Sequence, residues 1–79
     1  MTEVEIKMII DVCEGHPGAL DIMNNIIEKY PSKLHLVLTM LTTKNIRGCN
    51  IYILYKSYGK DLDEFIREIT TGAANFTVS

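Results

Sequence analysis

Ile51-Tyr52-Ile53-Leu54-Tyr55 is the stretch whose reading decides the fold. Its β-branched and aromatic residues favour a strand. Yet Ile51, Leu54, Tyr55 and Tyr58 fall at i, i+3, i+4 and i+7, and Gly59 offers a C-terminal stop. Length and spacing decide for a helix over about residues 50–58. With that segment helical, no other stretch asks for a strand, and the chain reads as all-α.

Working outward, residues 46–48 form a turn before this fourth helix. Upstream of it, Leu34, Val37, Leu38 and Leu41 make the stripe of a third helix that fades at Thr42-Thr43-Lys44-Asn45, with Ser32 as its cap. Ala19, Ile22, Met23, Ile26, Ile27 and Tyr30 mark a second helix that Pro31 stops. Pro17 suits its first position, where the missing amide donor has no partner to lose. Thr2 and Glu5 fit a capping box for a first helix over about residues 3–13. That helix is apolar on nearly every side, which predicts burial on more than one face. Downstream, Asp61 caps a fifth helix with Leu62, Phe65, Ile66 and Ile69 on one face. The tail over residues 70–79 is either frayed or docked on a neighbouring subunit.

Five short helices in a single domain over residues 1–79 are therefore expected. A chain of 79 residues that is 47% hydrophobic is too small to hide all of its apolar surface, so a homo-oligomer is expected as well. The acidic start predicts no signal peptide, and no apolar run reaches membrane-spanning length. Cys13 and Cys49 form no paired motif and read as reduced thiols of a cytoplasmic protein.

Charge is segregated. Residues 29–60 carry six of the eight basic residues, all four tyrosines and no carboxylate, while both flanks are acidic. The three blocks carry formal charges of −5, +6 and −3, giving the net −2. Such a block predicts a local site for an anion with flat rings, not a surface for long nucleic acid. Tyrosines half-buried in the core and solvated lysines would give the same composition.

Two glycine-bearing helix entrances, Gly15-His16-Pro17-Gly18 and Asn45-Ile46-Arg47-Gly48, offer unpaired amides and a positive dipole end to phosphate. Arg47 adds a planar fork. On a helical fourth segment, Tyr52 and Lys56 share an exposed face with Gly48, while Tyr55 and Tyr58 fall on the Ile51/Leu54 core stripe. Tyr52 is then placed to stack on a base and Lys56 to meet a phosphate. No catalytic constellation is evident around Cys13, Glu14 and His16, and His35 reads as a surface histidine. Cys13-x-x-His16 lacks a second ligand pair for zinc, so no metal or cofactor is expected. Helices three and four also outline a helix-turn-helix presenting Arg47, Cys49 and Asn50 to a groove, but the acidic flanks oppose duplex binding.

Glu14-Gly15-His16-Pro17-Gly18-Ala19-Leu20, Asn45-Ile46-Arg47-Gly48-x-Asn50-Ile51-Tyr52 and Tyr55-Lys56-x-Tyr58-Gly59-x-Asp61-Leu62-x-x-Phe65-Ile66 form a spaced set. Together they resemble a family of small phage and prophage proteins whose motifs read roughly GNPGAL, NIRGSQIW and AYKDYCG. The resemblance covers about residues 14–66. It places the chain near the phage anti-CBASS sponges, which sequester cyclic nucleotide alarm signals without cleaving them. It implies a tetramer in the host cytoplasm, a cyclic di- or trinucleotide such as 3′3′-cGAMP as ligand, and no enzymatic activity. The residues it implicates are His16, Pro17, Gly18, Arg47, Gly48, Asn50, Tyr52, Tyr55 and Lys56. His16 departs from the family's Asn, Cys49 from Ser, Asn50 from Gln and Tyr52 from Trp. A small helical adaptor or inhibitor that binds a host protein is the alternative from another class.

Overall fold

The computed structural model describes residues 1–58 and 61–71. Within them the order is α1 (Glu3–Cys13), α2 (Pro17–Lys29), a 3₁₀ turn (Pro31–Lys33), α3 (Leu34–Thr43), α4 (Gly48–Ser57) and α5 (Leu62–Thr71). The radius of gyration, 11.1 Å, is that of one compact domain of this length, for which about 11.6 Å is expected.

The deciding segment is helical because burying Ile51 and Leu54 on one face outweighs its strand propensity. The capping box at α1 is complete. Glu5 N–H donates to Thr2 Oγ1 (3.1 Å), and Thr2 N–H donates to Glu5 Oε1 (2.9 Å). The Thr2 backbone and hydroxyl donors hold the Glu5 carboxyl below its usual range. At α5, Asp61 Oδ1 accepts from the N–H groups of Asp63 and Glu64 at 3.0 and 3.3 Å. Most of the stripes read from sequence are core: Ala19, Ile22, Met23 and Ile26 of α2, Leu34, Val37, Leu38 and Leu41 of α3, and Phe65, Ile66 and Ile69 of α5 are buried, while Ile27, Tyr30 and Leu62 are half-buried against them.

Two boundaries differ from expectation. Ser32 does not cap α3: the 3₁₀ turn runs straight into the helix through Lys33, with no side-chain cap. Pro31 fixes the φ of a first turn, and the tight 3₁₀ geometry continues into α3. The turn at 46–48 is shorter than expected, because Gly48 is already the first residue of α4 and is buried. The tail expected over residues 70–79 begins later, because Thr70 and Thr71 continue α5 and their hydroxyls donate to the carbonyls of Ile66 and Arg67; Gly59 and residues 72–79 lie outside the described residues.

α1 packs on α3, α2 and α4, α2 packs on α4, and α3 packs on α5. Although α1 buries Val12 and Cys13, it leaves Val4, Ile6 and Ile10 at 61%, 44% and 64% exposure. Burial of α1 on more than one face is thus only partly met within one chain. Among the described residues no helix is long and apolar enough to cross a membrane.

Cys13 has no exposed surface, and desolvation pushes its thiol up from 9.0 to about 11, whereas Cys49 is exposed. Iodoacetamide in mildly alkaline buffer should alkylate Cys49 rapidly and Cys13 only after denaturation, which intact mass reports as one adduct and then two. Equal labelling rates in the native protein would contradict this burial. Because the folded state keeps the Cys13 proton that the unfolded state releases near 9.0, this contribution to stability is full below that pH. It declines as pH rises toward about 11.

Candidate functional site

The N-termini of α2 and α4 meet, and two glycines let them do so. A Cβ on Gly48 would lie 2.8 Å from the Cys13 carbonyl carbon, and closer still to its oxygen, in addition to 3.0 Å from His16 Cβ. A Cβ on Gly18 would lie 2.6 Å from Tyr52 Cε1 and 3.1 Å from His16 Cε1. These glycines therefore act first as points of close approach between elements, which the reading of them as phosphate-binding amides did not anticipate.

His16 is the N-cap of α2. Its Nδ1 accepts the Ala19 N–H at 3.2 Å, and its ring sits 5.3 Å from that of Tyr52 at 46°. The Lys56 ammonium lies over the Tyr52 ring at 5.0 Å from its centroid, a cation–π contact on the exposed side of α4. The spacing of Tyr52 and Lys56, four residues apart on a helix, produces this contact directly. His16, Gly18, Tyr52 and Lys56 thus form one cluster, with Pro17 exposed at the first position of α2.

The remaining candidates fall elsewhere. Arg47 turns toward the end of α1: Nη1 lies 2.6 Å from Asp11 Oδ1 and 3.4 Å from the Asp11 carbonyl oxygen, and Nε lies 3.6 Å from Glu14 Oε1. Its charge is met by two carboxylates, so an anion that recruits Arg47 must compete with them. Each pair is more than two-fifths exposed, and such pairs contribute at most about 1 kcal/mol each. Asn50 is half-buried. Tyr55, three residues on from Tyr52 and so on the adjacent face of α4, packs edge-on to Phe65 at 5.4 Å and 86°. There it lines an open recess of about 490 Å³ with Asn25, Glu28, Lys29 and Leu62. The Lys29–Asp63 ion pair, at 3.3 Å, links α2 to α5. Tyr58 packs 6.2 Å from Phe65, in keeping with its place on the core stripe.

Asp11 and Glu14 were missed as partners of Arg47. They lie three residues apart at the end of α1, and nothing local ties them to a cation 36 residues away from Asp11. His16 as a cap had a legible signal, since it precedes a proline at the first helical position. Among the described residues no group of three or more His, Cys, Asp or Glu is placed to hold a metal ion. Comparison with protein-family models, curated proteins and solved structures finds no match for this chain.

Proposed function

We propose that this chain is a phage-encoded immune-evasion protein that binds cyclic nucleotide second messengers, such as 3′3′-cGAMP, and sequesters them without cleaving them. The observation that carries the reading is the cluster at the meeting of two helix N-termini. A tyrosine ring there has an imidazole at 5.3 Å and an ammonium at 5.0 Å from its centre. An aromatic plane beside a mobile cation is what a base joined to a phosphate requires. Lys56 is exposed and its ammonium sits on a rotatable four-carbon stem, so a base can take its place on the ring while the ammonium turns to the phosphate.

The recess of about 490 Å³ does not include this cluster, and in this reading a second copy encloses the nucleotide there. Homo-oligomerisation, as a tetramer in the host cytoplasm, belongs to the proposal, and the exposed Val4, Ile6 and Ile10 of α1 are apolar surface available for it. Those same residues favour the second reading, a helical adaptor that covers α1 with a host protein. The pairing of Arg47 with Asp11 and Glu14 counts against duplex DNA, for which that guanidinium would be the leading contact.

The test is retention of a panel of cyclic di- and trinucleotides, followed by denaturation and identification of what is released. Intact release of one or two compounds is expected. Arg47→Ala combined with Tyr52→Ala should weaken retention about fivefold to a hundredfold, most of it from loss of the stacking face. Release of altered nucleotides would mean an enzyme, and tight binding that survives both substitutions would overturn the site.

A further inference from the structure

Building on that reading, we propose that His16 is a ligand-contacting donor of fixed tautomer, giving its Nε2–H to a phosphodiester oxygen of the bound nucleotide. The Ala19 N–H points at Nδ1 from 3.2 Å, so Nδ1 must present a lone pair. A neutral imidazole whose Nδ1 is an acceptor carries its proton on Nε2. Turning the ring over would set a carbon against the Ala19 amide and leave that first-turn donor unpaired.

The ring is also confined. The space that would hold a side chain at residue 18 ends 3.1 Å from His16 Cε1, and the Tyr52 ring stands 5.3 Å away. Nε2 forms no hydrogen bond to any described residue, and no described side-chain nitrogen is buried without a partner. Its N–H therefore opens to solvent beside Tyr52, whose ring carries the Lys56 ammonium. A donor and a cation close to one aromatic ring select an oxygen anion. A group that offers only donors, such as an exocyclic amine, finds no acceptor on this imidazole. Among the candidate residues His16 thus performs two tasks: one nitrogen holds α2 and the other addresses the ligand.

The experiment uses the full chain with 3′3′-cGAMP as the probe, adding the other compounds of the panel where this one is not retained. Long-range proton–nitrogen correlation spectra of the free protein should show His16 protonated at Nε2 alone. His16→Ser keeps a capping oxygen at the N-cap but has no donor that reaches the Nε2 position. It should unfold at nearly the wild-type denaturant midpoint and bind about tenfold to a hundredfold more weakly by calorimetry. His16→Ala, which loses cap and donor together, should lose both stability and affinity. An Nδ1-protonated ring, or wild-type affinity in His16→Ser, would overturn the proposal. If wild-type protein retains no cyclic nucleotide while the Nε2 tautomer is observed, the sequestration reading is what fails, and the ligand role of His16 falls with it.

Discussion

Gly48→Ala should cost about 3 kcal/mol or more and leave the chain largely unfolded, as followed by far-ultraviolet circular dichroism in urea. The reason is steric. The added Cβ would press into the Cys13 carbonyl group, which is backbone and closes α1, and it would sit 3.0 Å from His16 Cβ. A flexible side chain could yield; a peptide group at the end of a packed helix cannot without moving the whole helix. The proper control is Gly15→Ala. Gly15 has φ +75° but open space around its missing Cβ, so that substitution should cost only the left-handed backbone penalty, about 1–2 kcal/mol. A Gly48→Ala protein whose urea midpoint matches wild type would show that α1 and α4 do not meet in this way.

Phe65→Ala should remove about 3–5 kcal/mol. Phe65 has no exposed surface and is the largest fully buried side chain among the described residues. Tyr55 and Tyr58 of α4 pack on it at 5.4 and 6.2 Å, so truncation opens a cavity beneath two rings that cannot collapse into it together. Set against a total stability of about 4–12 kcal/mol for 79 residues, the loss is a large share, and at the lower end of that range it brings the protein to its unfolding midpoint in buffer. Phe65→Leu keeps most of the volume and should cost about 1 kcal/mol. If the two variants are equally stable to urea, the packing of α5 on α4 plays no such part.

The helices were legible because their signals are local. A capping hydroxyl and a carboxylate three residues apart, a proline at the first helical position and apolar stripes at helical spacing need no distant partner. The same holds for Tyr52 and Lys56, whose contact is a consequence of helical geometry. What the sequence concealed depends on tertiary contacts. Arg47 reads as an unpaired fork until α1 brings Asp11 and Glu14 to it. Gly48 reads as a turn residue until its missing side chain proves to be the gap that admits Cys13. Tyr55 and Tyr52 are neighbours in the motif, yet α4 sends them to different surfaces. Ser32 was a reasonable cap, overridden because Pro31 starts a 3₁₀ turn that flows into α3.

The pairing of α2 with α4 also has a consequence for how the chain is made. α2 packs on an element that follows it only after α3, and the rings of His16, the cap of α2, and Tyr52 meet at that junction. A nascent chain emerging from the ribosome through α3 has already exposed the apolar stripe of α2 without its later cover. The junction then forms late in synthesis, with α4, and a chain that stops short of it carries a helix whose apolar stripe is uncovered.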